Sequence, residues 1–264
     1  MKLDVAGRCY LLVGGTAGMG LATAAVLAAS GADLVLVGRD EDKATAAAAS
    51  LASSHGVQAV GHAIDVSLGA EHAQRAVDAT LEAFGRIDGI GITSGTSVEA
   101  HQSLEDASDA DWLIAFNQIL MATVRVVRAA LPSMIDAGGG TIVTTSAYSI
   151  RNTTGARVPY TTLKAAIPVF TKDVARTYGH RGIRANCVCP GAIGTEQAKQ
   201  RATEMGALAA DVSYDEILKH GKIDVAAGRT GRPDEVGELI AFLLAPHATY
   251  LTGATINIDG GTNF

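Results

Sequence analysis

The sequence predicts an α/β fold: one doubly wound domain spanning residues 1–264, with a seven-stranded parallel sheet and helices on both faces. Two observations carry this expectation. Apolar runs alternate with helical patterns four times within the first 95 residues, at spacings that require parallel pairing through right-handed crossovers. The first run also passes through a glycine-rich turn straight into an alanine-rich helical stretch, as the opening unit of such sheets does. No linker, repeat or low-complexity break interrupts the pattern.

Composition narrows the function. Hydrophobic residues make up 48% and charged residues 18%, enough for a large core. With 21 basic and 27 acidic residues, a net charge of −6 and no basic block, nucleic acid and anionic membrane are poor partners. Lys2 is followed by Asp4, Gly7 and Arg8 before any apolar run, so no signal peptide is read, and no unbroken run is long enough to span a bilayer. Cys9, Cys187 and Cys189 are too few and too irregular for a disulfide framework; they read as small core residues of a reducing, cytoplasmic protein.

Cys9–Val13 forms the first strand, followed by Gly14-Gly15-Thr16-Ala17-Gly18-Met19-Gly20 and the helical stretch Leu21–Ser30. Backbone N–H groups and a helix N-terminus meet there, a cradle for the pyrophosphate of a dinucleotide. No Gly-Lys-Ser/Thr follows, which excludes a Walker-type phosphate loop. The second strand, Leu34–Val37, ends at Gly38-Arg39, nineteen residues beyond Gly20. An acidic residue at this place would hold the ribose of NAD; the permanent cation Arg39 suits the 2′-phosphate of NADP. NADP(H) is therefore favoured and NAD(H) stays open, because Asp40 stands ready to neutralise Arg39. Glu41–Ser54 reads as a helix and Val57–Ile64 as the third strand, closing at Asp65-Val66. Ser67 is expected to cap the helix that runs to Phe84, and Ile87–Thr93 is a fourth strand ending at Ser94-Gly95.

After a loop from Thr96 to Ala107, a long helix is expected from about Asp109 to Ala137. Trp112, Ile114, Phe116, Leu120, Val124 and Val127 supply much of its apolar surface, interrupted by Asn117. Gly138–Gly140 ends it, and Thr141–Thr145 is the fifth strand, with Ser146 at its end. A polar loop, Tyr148–Val158, leads to Pro159, which fits the first turn of a new helix. That helix places Tyr160 and Lys164 four residues apart on one face. An ammonium within that reach favours the charged form of a phenol, so the pair suits proton exchange near neutral pH. Pro168 cannot donate to the Lys164 carbonyl and predicts a kink there. Glu196–Gly228 holds charged helical patches broken by glycines; Pro233–Leu244 is the last full helix and Thr255–Ile258 the last strand.

Taken together, these signatures resemble the short-chain dehydrogenase/reductase family over essentially the whole chain. The likeness rests on the glycine motif, Asp65-Val66, Tyr160-x-x-x-Lys164, Arg184-Ala185-Asn186 with Pro190-Gly191-Ala192-Ile193-Gly194-Thr195, Gly231-Arg232-Pro233-Asp234-Glu235-Val236, and Leu251-Thr252-Gly253 with Ile258-Asp259-Gly260-Gly261. It implies a Rossmann-type fold and hydride transfer between NADP(H) and a small carbonyl or secondary alcohol, by a 3-oxoacyl-reductase-like or other ketone reductase. In that scheme Tyr160 exchanges the proton, Lys164 holds the ribose hydroxyls, Ser146 steadies the oxyanion, and Asn117 joins a water-linked proton path. Gly14, Thr16, Gly18, Met19, Gly20, Arg39, Asp65, Val66, Ser94, Gly95, Pro190, Gly191, Ile193 and Thr195 contact the cofactor, with Tyr160 and Lys164. The segment 196–228 covers the substrate, no metal is needed, and the assembly is a homotetramer paired through two long helices.

Four positions depart from the family pattern. Val13 replaces a threonine, and Ile92-Thr93-Ser94-Gly95 replaces Asn-Asn-Ala-Gly. The serine normally thirteen residues before the tyrosine is Ala147, so Ser146 serves only with an extra loop residue, and Ser149 is the other serine at hand. Pro168 is the fourth. Such losses also fit a catalytically silent, redox-sensing dinucleotide binder of the same fold. Arg151 and Arg157 hint at an anionic group on the substrate.

Overall fold

The computed structural model describes residues 2–95, 103–151, 153, 157–196, 198–200 and 224–262. Seven parallel strands form one sheet in the order β3-β2-β1-β4-β5-β6-β7. They are β1 (Cys9–Val13), β2 (Asp33–Gly38), β3 (Ala59–Ala63), β4 (Gly89–Ile92), β5 (Gly140–Thr145), β6 (Ile183–Pro190) and β7 (Thr255–Ile258). The helices are α1 (Gly18–Ala29), α2 (Glu41–His55), α3 (Ala70–Phe84), α4 (Asp109–Ala115), α5 (Ala122–Asp136), α6 (Val158–Tyr178) and α7 (Pro233–Leu244).

Side chains on a strand alternate between faces, and here both faces are buried. Leu11, Val13, Val35, Val37, Ile90 and Ile142 share a core with α3, α5 and α6. Tyr10, Leu12, Leu34, Leu36, Val143 and Val188 turn the other way, onto α1, α2 and α7. Strands buried on two sides read as unbroken apolar runs, which is why they stand out in the sequence. The chain lays β2 and β3 to one side of β1 and returns to lay β4 on the other. That reversal opens the crevice at the carboxyl ends of β1 and β4 where such sheets bind ligands.

Two local expectations are corrected, and one helix cap is added. Ser67 does not cap α3, which starts after Gly69; its amide and hydroxyl both donate to the Asp65 carboxylate, at 2.9 and 2.6 Å. Asp40 caps α2 by accepting from the Lys43 amide at 3.0 Å. Between α4 and α5, residues Phe116–Met121 form a π-helical turn, in which the Ala122 amide reaches back to the Asn117 carbonyl. The extra residue in that turn rotates the helix surface. Ala115, Ile119, Ala122, Val126, Val127 and Ala130 become the buried stripe, while Ile114 and Phe116 are left 46% and 38% exposed.

By length and composition the continuous helix Asp109–Asp136 is apolar enough to cross a bilayer, a feature that unbroken apolar runs do not reveal. Its buried stripe nevertheless packs into the sheet core beside α3. Most of the expected substrate-covering segment, residues 197 and 201–223, lies outside the described residues, as do 96–102 of the loop after β4.

Candidate active site

The glycine turn is built by close approach. Gly14 has φ +84°, and a Cβ there would sit 2.8 Å from the Ser94 amide nitrogen and from the Thr93 hydroxyl. A Cβ at Gly20 would strike the Gly14 carbonyl, so α1 can start against the turn only with glycine. Thr93 stands in the place of the second asparagine of that pattern, and its hydroxyl donates to the Gly14 carbonyl at 3.1 Å. Through this bond the turn is pinned to the end of β4. Thr16 touches Gly38 at the end of β2, and Gly18 faces Thr195.

These residues fit a dinucleotide. No acidic residue and no capping side chain occupies the first turn of α1, leaving its positive end open to a pyrophosphate. Beside the turn, the Ser94 hydroxyl is buried without a partner. Arg39 is exposed past the end of β2, and Asp40 directs its carboxylate to Lys43. Val66 is buried and Asp65 half-buried at the end of β3. In the turn after β6, the Gly191 amide donates to Ile258 and the Gly194 amide to Gly231, both at 2.9 Å. Ile193 bridges Gly231, and the Thr195 hydroxyl accepts from the Ala198 amide.

The reacting end lies where β5 meets α6. Tyr160 and Lys164 are 8% and 3% exposed, on one helix face, with the ammonium 5.9 Å from the ring centroid. Lys164 Nζ donates to the Thr145 carbonyl at 3.1 Å, and the Thr145 hydroxyl donates to the Ile92 carbonyl at 3.1 Å. A continuous path of contacts therefore joins the glycine turn, the ends of β4 and β5, and the Tyr160–Lys164 pair. Ile119, Ala147, Ile167, Cys187 and Cys189 form the apolar cluster around Tyr160.

Ser146 reaches this site, but its hydroxyl donates to the Lys164 carbonyl at 2.7 Å. Ser149 is close in sequence, and its hydroxyl is buried without a partner. Asn117 makes no direct hydrogen bond to Lys164 among the described residues. Its amide donates to the Leu113 carbonyl at 3.0 Å and accepts from Arg125 at 2.9 Å. Arg125 also holds the Ser67 carbonyl at 2.7 Å, so the amide serves a link between helix and loop. The inward residue of that turn is Ile119.

Three groups were missed from the sequence: Thr93, Thr145 and the placement of Arg157. The Arg157 guanidinium lies 3.9 Å over the Tyr160 ring, and its Nε is buried without a hydrogen-bond partner. Burial pushes the neighbouring Tyr148 phenol up, and Arg157 draws it partly back. Only its position three residues before the tyrosine hinted at this. Arg184 and Asn186 prove structural: Arg184 holds the Leu243 and Ala245 carbonyls, and Asn186 pairs with Leu251 and Ala254.

Over residues 14–263 the chain matches the family model described as Enoyl-(Acyl carrier protein) reductase. It is 34% identical over 261 residues to the short-chain dehydrogenase/reductase aba4 of Botryotinia fuckeliana (strain B05.10), covering 96% of each chain. The chain belongs to the short-chain dehydrogenase/reductase family. This short-chain dehydrogenase/reductase is also 30% identical over 264 residues to the 3-oxoacyl-[acyl-carrier-protein] reductase FabG of Aquifex aeolicus (strain VF5), across 99% of both chains. Its fold matches the crystal structure of L-sorbose reductase from Gluconobacter frateurii, complexed with NADPH and L-sorbose, with a TM-score of 0.91. The identity to that enzyme is 29%, over 99% of this chain and 98% of the other. As a short-chain dehydrogenase/reductase it is an oxidoreductase of the class that acts on CH–OH and C=O groups, and its family binds NAD(P)(H).

Proposed function

We propose that this enzyme interconverts a small ketone and its secondary alcohol using NADP(H), with Tyr160 as general acid and base. The observation that carries the reading is the buried Tyr160–Lys164 pair, tied through Thr145 to the strand ends beside the glycine turn. Gly14, Thr16, Gly18, Met19, Gly20, Ser94 and Gly95 would hold the pyrophosphate side of the cofactor. Asp65 and Val66 would hold the adenine, and Pro190, Gly191, Ile193 and Thr195 the carboxamide. When bound, the nicotinamide supplies or accepts the hydride. Tyr160 Oη gives its proton to the carbonyl oxygen, or takes one from the alcohol, and Lys164 stabilises the phenolate left behind. Arg39 supports NADP(H), as does the NADPH in the related sorbose reductase structure.

Arg157 supports a substrate that carries an anionic group: an unpartnered guanidinium nitrogen in this position recognises a carboxylate well. Exposed Leu113, Ile114, Phe116 and Val169 on neighbouring helices support assembly with further copies, as a tetramer. The single-domain organisation and a cytoplasmic location belong to the same reading.

Tyr160→Phe tests it. The variant should bind NADPH, followed by its fluorescence, and lose NADPH oxidation across a panel of ketones; unchanged turnover would end the mechanism. A second reading, a dinucleotide binder without catalysis, is favoured by Ala147 and Ile119 at the reacting end. It requires the wild type to bind NADPH and turn over nothing.

A further inference from the structure

We infer that Ser146 is a positioning residue: its hydroxyl replaces the backbone N–H that Pro168 takes away from the Lys164 carbonyl, and is thereby withdrawn from the substrate oxygen. The inference rests on the proposed role of Lys164. In an α-helix the carbonyl of residue 164 accepts from the amide of residue 168, and proline has no such donor. Pro168 lies inside α6, and Lys164 is 3% exposed, so solvent cannot repair the loss. A carbonyl buried without a partner is costly. Ser146 Oγ, itself buried, lies 2.7 Å from that oxygen.

A hydroxyl has one proton to donate. While Ser146 spends it on Lys164, it has none for a developing alkoxide. Its neighbours act on the same helix. The Thr145 carbonyl receives the Lys164 ammonium at 3.1 Å, and the Thr144 and Thr171 hydroxyls meet at 2.7 Å. Three consecutive residues at the end of β5 thus hold α6, two of them gripping Lys164 at its main chain and at its side-chain tip. Ala147, in the place of the usual serine, brings no hydroxyl of its own. Ser146 and Pro168 therefore form one device, and each explains the other.

A cycle of four proteins tests this: wild type, Ser146→Ala, Pro168→Ala and the double variant. Each is measured for kcat and KM with NADPH and a reactive ketone, for the pH profile of kcat, for NADPH affinity and for melting midpoint. Ser146→Ala should lower kcat about five- to tenfold, the worth of one buried hydrogen bond, and displace the basic limb of its pH profile. In the Pro168→Ala background, where the helix regains its backbone amide, the same substitution should cost less than about twofold. Equal losses in both backgrounds would overturn the inference and return Ser146 to the substrate oxygen; no loss in either would overturn it as well. If Ser146→Ala does not fold, folding of the double variant supports the device and its failure to fold refutes it. Melting midpoint and NADPH affinity are read without turnover, so this result is separate from that of Tyr160→Phe.

Discussion

Arg39 follows the end of β2 and is exposed, and its neighbour Asp40 caps the start of α2. A charge-assisted bond to a phosphate is worth more than a neutral one, so Arg39→Ala should weaken NADPH binding about 10- to 100-fold and leave NADH nearly unchanged. Parallel titrations with the two cofactors decide it, and equal losses would remove Arg39 from the 2′-phosphate. Arg157 sits at the opposite end of the site, its guanidinium 3.9 Å over the Tyr160 ring. Arg157→Ala should raise KM for a ketone bearing a carboxylate about tenfold, the worth of one charge-assisted hydrogen bond. A matched neutral ketone should change little. If both substrates suffer alike, the residue serves the tyrosine and not the substrate.

At the scale of single elements, α7 shows how an exposed charge organises a turn. Glu235 accepts from Arg229 at 2.6 and 2.9 Å and from the Arg232 amide at 2.8 Å. Chiefly through the Arg229 bond, its carboxyl is lowered from 4.5 to about 2. The folded protein holds this carboxylate more readily than the unfolded chain does, so the contribution to stability is full above pH 4.5. It is lost as the pH falls through about 2. The gap in melting midpoint between wild type and Glu235→Gln should therefore be constant near neutrality and close across that acid range. A gap that persists at about pH 2 would mean that packing, and not charge, is what Glu235 contributes. The π turn acts on the other long helix: by rotating its surface it buries Ile119 beside Tyr160 and turns Ile114 and Phe116 outward.

Across the whole molecule, the two faces of the sheet are buried in apolar cores, and among the described residues several large apolar side chains on neighbouring helices stay exposed. Leu113 and Val169 are 61% and 64% exposed, flanked by Ile114 and Phe116, on helical segments that pack side by side. A second copy of the chain would cover these side chains. Replacing Leu113 and Val169 together by lysine should reduce the mass measured by analytical ultracentrifugation while the circular dichroism spectrum stays native. An unchanged mass would place any interface elsewhere.

The strand runs, the glycine turn and the Tyr160–Lys164 face were legible in the sequence because each depends on neighbours in the chain. Burial on two sides makes a strand apolar throughout, a turn without Cβ atoms must be glycine, and four residues make about one helical turn. The partners of Ser146 and Arg125 were not legible. Ser146 meets a carbonyl 18 residues away and Arg125 reaches back 58 residues to Ser67, so a polar side chain's partner is chosen by whichever distant backbone folding brings within reach. Pro168 shows both at once: its missing amide is certain from the residue type, but which group takes that amide's place is decided only where β5 packs against α6, because a hydrogen bond requires its two atoms within about 3 Å of each other.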